Sequence, residues 1–347
     1  MRQVSELDDL LRLSAQIGRD PLLTQASAGN TSIKIDGRLW IKASGKWLVN
    51  ALQEDIFLPL DLSEVRNCVR QQRPMKARVK NLSGEQLQPS VETIMHAMLP
   101  QRVVVHVHSV NTLAHAIRMD AQEHFGSLLK GLRWEWIPYV PSGLPLAQAI
   151  EAALRRSSAF DVLVLGNHGL VVCGDNCKSV ERLLKQVEGR MGSMPRRAPQ
   201  FDRKFLLRFV HGSKWRFPEY TRLHCLATDE ISSRILASGS LYPCQAIALG
   251  GPESWSSFYS GLYCEAIRNR EQGSCGRPFL IVKEKGVLLR SDITSTEREA
   301  LMGLAEVMQR IEQTAPIRYL TKQEREEIAS LDVYRSYAKP DLIALSA

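Results

Sequence analysis

The chemistry of this chain concentrates in three histidines and one carboxylate. His106 and His108 stand at i and i+2 in the run VVVHVHS. Side chains of a strand alternate between faces, so a strand there turns both imidazoles the same way. His168 follows a second apolar run in LVLGNHGLVVCG, between Gly166 and Gly169, whose backbone freedom permits the tight path that turns a side chain out of a strand end. Three neutral imidazoles with an open fourth position describe a catalytic zinc site, where the ion acts as a Lewis acid or lowers the pKa of a bound water to about 7. The same residues also read as half-buried strand and turn histidines, and spacing alone leaves both readings open. Upstream, Pro89-Ser90-Val91-Glu92 begins a helix with Ser90 as its N-cap, and the first turn offers unpaired N–H groups to an anion. Glu92 in that turn is placed to be a metal ligand, a general base or an ordinary first-turn glutamate. The segments Ala28-Gly29-Asn30-Thr31-Ser32 and Ala43-Ser44-Gly45-Lys46 each put a glycine and small hydroxyl or amide donors at a strand end. Backbone N–H groups there can converge on an oxyanion, although each segment also reads as a plain turn and neither is a P-loop.

Positioning these groups requires a sheet. Residues 103–108 are β-branched and read as a strand. Residues 31–36 and 38–43 alternate about the turn dipeptide Asp36-Gly37, a hairpin. The spacing predicts an amphipathic helix over 5–18, capped by Ser5 with Asp8 at its third position, and helices over 62–71, 92–99, 109–118 and 144–156. Residues 132–140 read as extended, and 161–165 with Val171 and Val172 as strands. Val180, Leu183, Leu184, Val187 and Met191 repeat at helical spacing and close an α/β domain with helices packed on one central sheet. Residues 196–204, within a stretch that carries two prolines and four basic side chains, read as a linker between a domain at 1–195 and a second at 205–347. In the second domain the patterns predict a helix at 228–238, a strand at 244–250, a hairpin at 279–290, a long helix at 296–314 and a last helix opened by the capping pair Thr321 and Glu324.

The 347 residues carry 45 Lys+Arg against 37 Asp+Glu, a net charge of +8. Of this, 25 − 19 = +6 falls in residues 1–200, the part that holds the histidines. No block of like charges occurs, so small anions are expected as partners and nucleic acid is not. No run of 18 apolar residues is present and the N-terminus is acidic, which predicts neither membrane insertion nor secretion. Seven cysteines without zinc-finger spacing read as reduced thiols of a cytoplasmic protein.

The order of the blocks AGNTSIK, IKASG, PSVETIMHAMLP, VVVHVHS and LGNHGLVVCG resembles the class II aldolase/adducin family over about residues 5–195. The run PSVETIMHAMLPQRVVVHVHS and the segment LATDEISSRILASGSLYP are most similar to the aldolase half of bifunctional rhamnulose-1-phosphate aldolase/short-chain dehydrogenase proteins. The chain contains no GxGxxG, so the dehydrogenase activity is expected to be absent. The resemblance implies a three-layer α/β/α domain with a central, mostly antiparallel sheet, followed by a smaller C-terminal α/β domain. It implies that His106, His108 and His168 hold Zn2+ or another divalent metal, that Glu92 is the acid/base residue, and that Asn30, Ser44, Gly45 and Ser90 bind a substrate phosphate. The implied reaction is a retro-aldol cleavage of a phosphorylated or anionic ketose to dihydroxyacetone phosphate and an aldehyde, in a homotetramer. Sugar-phosphate 4-epimerases, decarboxylases and the non-catalytic adducin-like proteins stay open as alternatives; the last have lost the metal ligands that this chain keeps. Lys34, where arginine is frequent, and the bulky Trp47 after the SG pair depart from the pattern. No direct contact with metal or reacting atoms is expected of residues 205–347, in which His211 and His224 stand alone.

Overall fold

In a computed structural model, which describes residues 2–73, 78–157, 159–250, 257–258 and 278–330, the valine runs do become the middle of a sheet. Among these residues the chain forms α1 (Arg2–Gly18), β1 (Asn30–Ile35), β2 (Arg38–Lys42), β3 (Phe57–Asp61), α2 (Leu62–Arg70), β4 (Val79–Lys80), β5 (Gln86–Leu87), α3 (Thr93–Met98) and β6 (Val103–Val107). It continues with α4 (Val110–Ala116), α5 (Ala121–Leu128), β7 (Trp134–Ile137), α6 (Leu144–Arg156), β8 (Val162–Leu165), β9 (Gly169–Gly174) and α7 (Cys177–Met191). A seven-stranded sheet runs in the order β3-β2-β1-β6-β9-β8-β7, antiparallel except for the β7–β8 pair.

Strand alternation sorts the layers. Val103, Val105 and Val107 of β6 join Val162, Val164, Leu170 and Val172 in a core with α1, α5 and α7. Val104, Leu163, Leu165 and Val171 point the other way, into a core with Met95 of α3 and Leu146 and Ile150 of α6. Each such fully buried side chain is worth about 1.5–3 kcal/mol relative to exposure. His106 shares its parity with Val104 and therefore emerges on the α3/α6 face. Asn30 is its register partner on β1, so the β1 side chains Asn30 and Ser32 line the same face.

The C-terminal half adds α8 (Arg203–Val210), β10 (Trp215–Arg216), α9 (Cys225–Thr228), α10 (Glu230–Ser238), α11 (Pro243–Leu249), β11 (Ser257–Phe258), β12 (Phe279–Val282), β13 (Gly286–Arg290), α12 (Ser295–Arg310) and α13 (Lys322–Ser330). Its strands form a second sheet in the order β10-β13-β12-β11. Cys264 and Cys275 lie outside the described residues.

Several expectations need correction. Helix α1 begins at Arg2, so Ser5 lies inside it instead of capping it. Ser90 is not the N-cap of α3: the helix begins at Thr93 and Glu92 holds the cap position, while the Ser90 hydroxyl accepts from the Glu92 N–H at 3.2 Å. Residues 244–249 are helical and Gly250 caps them, because Pro243 sits at the first helical position, where its missing N–H costs nothing, and alanines follow. The stretches on either side of residues 196–204 pack against each other. Val110, Leu113 and Ile117, on and just after α4, share one core with Leu301, Leu304 and Met308 of α12. The linker is itself tied down, Arg196 donating to the Met308 carbonyl (2.8 Å) and to Asp229 (2.6 Å).

Candidate metal centre

Two segments deliver the imidazoles. His106 comes from β6, His108 from one residue past its end, and His168 from the turn between β8 and β9. Close backbone approach makes the meeting possible: a Cβ at Gly169 would lie 2.5 Å from the Val107 carbonyl oxygen and within 3.3 Å of both His106 and His108. Gly29, at φ +72°, likewise clears the His106 carbonyl, which a Cβ would approach to 2.8 Å. Glu92, at the start of α3, reaches down from the layer above the sheet.

The four side chains converge, and all are buried. Nε2 of His106 lies 3.0 Å from Nε2 of His108. Glu92 Oε1 is 2.9 Å from Nε2 of His168 and 3.4 Å from Nε2 of His106. Donors about 2.0–2.1 Å from a tetrahedral zinc stand about 3.3 Å apart, so three of these separations lie near that value. One nitrogen is already oriented: His106 Nδ1 donates to the Leu170 carbonyl at 3.0 Å, which leaves the Nε2 lone pair facing the cluster. Burial, with the neighbouring imidazoles adding to it, holds the His108 pKa well below the usual histidine range; burial also lowers that of His168, against the pull of Glu92. Burial thus favours the neutral form of both rings, the form that ligation requires. Burial works against ionising Glu92, but His106 and His168 outweigh it and hold its carboxyl well below the usual carboxylate range.

Behind Glu92 runs a buried polar relay. Asn30 Nδ2 donates to Glu92 Oε2 at 2.6 Å, and Asn30 Oδ1 accepts from His96 Nε2. The other nitrogen of His96 meets the Ser32 hydroxyl at 2.7 Å. Ser142 adds a weak bond to Glu92 Oε1 at 3.4 Å.

A pocket opens on this cluster, lined among others by Gly29, Asn30, Lys42, Ser44, Ser90, Glu92, His108 and His168. Gly45 is not among its lining residues, and neither is Trp47. Lys34 points away, donating to the Gln101 carbonyl at 2.7 Å. Lys42 is 2 % exposed, donates to the carbonyls of Ser27 (2.8 Å) and Lys46 (2.6 Å), and has its pKa pushed down to about 8, by burial above all.

The match to the family model described as Class II Aldolase and Adducin N-terminal domain spans residues 8–190. This chain belongs to that family. The Bacillus subtilis protein called "Uncharacterized oxidoreductase YuxG" is 28% identical over 188 residues, which are 50% of this chain and 27% of that protein. The chain therefore matches about a quarter of that relative's length. Among solved structures, the N-terminal class II aldolase domain of a conserved Thermoplasma acidophilum protein is 24% identical, with 54% of this chain and 92% of that one covered at a TM-score of 0.46. The L-fuculose-1-phosphate aldolase of Thermus thermophilus is 20% identical, covering 53% and 92% at a TM-score of 0.36.

Three residues of the site escaped the sequence reading. His96 had a usable signal, four residues after Glu92 and so on the same face of a helix. Lys42 had none, since a buried lysine looks like any other lysine. Cys244 places Sγ 3.0 Å from His108 Nδ1 and was hidden by the strand reading of its segment. With Tyr242, Ile247 and Ala300 it forms the wall that the C-terminal half contributes.

Proposed function

We propose that this chain is a metal-dependent carbon–carbon lyase that cleaves a ketose phosphate, or forms one, with dihydroxyacetone phosphate as one product. The observation that carries the reading is the convergence of three imidazole nitrogens and the Glu92 carboxylate on the floor of a pocket that also holds Lys42, Ser44 and Ser90. When bound by His106, His108 and His168, a divalent ion, zinc by the chemistry of three imidazoles, supplies Lewis-acid polarisation of a substrate oxygen.

The remaining work belongs to the chain. Glu92 stays ionised in its buried setting and so can take a proton from a substrate hydroxyl and return it to carbon. Asn30 and His96 keep that carboxylate in one rotamer, since a displaced Glu92 would break the buried bonds behind it. Ser44 and Ser90, with the backbone of the Gly29 turn, hold the phosphate, with Gly45 shaping the turn behind Ser44, and the Lys42 ammonium supplies positive charge beside it. Asn30 contributes to this end only through its backbone, because its amide is spent on Glu92. Residues 1–195 carry this chemistry, residues 196–204 connect, and residues 205–347 complete the pocket wall. The reading extends to a cytoplasmic homotetramer with a small anionic sugar as its partner.

A panel of phosphorylated ketoses, offered to zinc-loaded protein and followed by dihydroxyacetone phosphate release, tests the proposal. Release from at least one ketose, abolished by a chelator and restored by zinc, is expected. Interconversion of C4 epimers without any release would replace the lyase by an epimerase.

A further inference from the structure

A ligating imidazole presents one nitrogen to the metal and needs a partner for the other, because that partner fixes the tautomer and the ring orientation. His106 finds its partner within the sheet, on Leu170. Among the described residues His108 meets no such carbonyl: its Nδ1 faces Cys244 Sγ at 3.0 Å, 136 residues away in the chain, at the start of α11. The third ligand is braced from the same place. Asn167, immediately before His168, holds φ +50°, and its Nδ2 donates to the carbonyls of Leu241 and Arg318, both at 2.8 Å. Arg318 Nη1 returns a bond to Asn167 Oδ1 at 3.2 Å. One short segment, Leu241 to Cys244, thus touches both ligand-bearing loops that leave the sheet.

On the metal reading above, we infer that Cys244 and Asn167 are positioning residues for the metal, and that the 241–244 segment is the clamp that sets the angle between His108 and His168. A thiol both donates and accepts. With Nε2 turned to the metal, Nδ1 of His108 carries the ring proton, and Cys244 Sγ accepts it. Alanine can do neither, and serine can do both. At position 167, glycine preserves the positive φ while removing the amide, so Asn167→Gly deletes the brace without straining the turn.

The test is zinc affinity of the full chain by competition with a chromogenic chelator, together with the visible absorption of the Co2+-loaded protein. Cys244→Ala and Asn167→Gly should each weaken zinc binding by about 10- to 100-fold, the usual cost of losing an outer partner. Both should change the Co2+ bands, while Cys244→Ser returns affinity and spectrum to those of the wild type. Wild-type affinity and spectrum in either variant overturn the role of that residue, and in both variants they overturn the clamp. A sulfur-to-cobalt charge-transfer band that disappears in Cys244→Ala would make Cys244 a ligand and also overturn the inference. If the wild type takes up no zinc or cobalt, the metal reading itself falls and takes the clamp with it, whereas metal uptake without ketose cleavage removes only the lyase.

Discussion

Replacing Glu92 by Gln removes one charge and almost no volume, which makes it the sharpest perturbation of the site. Its carboxylate accepts from Asn30 at 2.6 Å and sits 2.9 Å from His168. A carboxamide has only one oxygen, so its NH2 must take one of these places. Facing Asn30 it sets donor against donor, unless the Asn30 amide turns over, His96 changes tautomer and Ser32 rotates its hydroxyl. Facing His168 it discards a charge-assisted bond. Either way about one buried hydrogen bond is lost, on the order of 1–3 kcal/mol of stability. Loss of the proton carrier is a separate and larger effect, roughly 10²- to 10⁴-fold in turnover, or about 2.7–5.4 kcal/mol of barrier. Zinc content by mass spectrometry, a thermal melt and dihydroxyacetone phosphate release separate the two. Full zinc, a modest fall in Tm and a large fall in kcat are expected for Glu92→Gln. Turnover within a few-fold of wild type would refute the acid/base role, and loss of zinc would make Glu92 a ligand before anything else.

His106→Ala should strip the metal while the sheet persists, checked by metal analysis alongside far-ultraviolet circular dichroism; retained stoichiometric zinc would remove His106 from the ligand set. Acid should destabilise the metal-free protein early. Burial keeps His96 and His108 neutral when folded, whereas the unfolded chain binds protons as pH falls through about 6.5, so stability is lost below that pH by up to about 1.4 kcal/mol per pH unit per imidazole. A Tm that stays flat from pH 7 to 5 would contradict this. A fragment ending at Pro199 should bare the α4 surface that α12 covers and sediment as aggregate, and a monodisperse fragment with an ordered α4 would show that the two halves fold apart.

Much of the site was legible because strand geometry is local. Period-two alternation alone puts His106 and His108 side by side, and the valines before and between them leave little else for the segment to be. The hairpin about Gly37 and the helix from Cys177 are equally local. β3 was not legible: it carries Pro59, tolerated because this strand is the edge of the sheet. α5 was missed because it follows α4 after only a few residues and blurs the periodicity. The clamp on His108 and His168 could not be read at all, since an apolar or thiol side chain on one helix does not name its partner on another. The strand expectation at 244–250 then hid Cys244, although Pro243 at a helix start was a signal available in the sequence.

The 136-residue separation of His108 and Cys244 also measures time. A ribosome adds about 5–20 residues per second, so His108 leaves the decoding centre on the order of ten seconds before the thiol that meets its ring. During that interval β6 can pair with β1, but α4 has no α12 to cover it and the imidazole outside the strand end has no outer partner. The α4 surface that α12 covers and the ring nitrogen that Cys244 meets are thus both bare until the second half of the chain has been made, and the pocket is closed last.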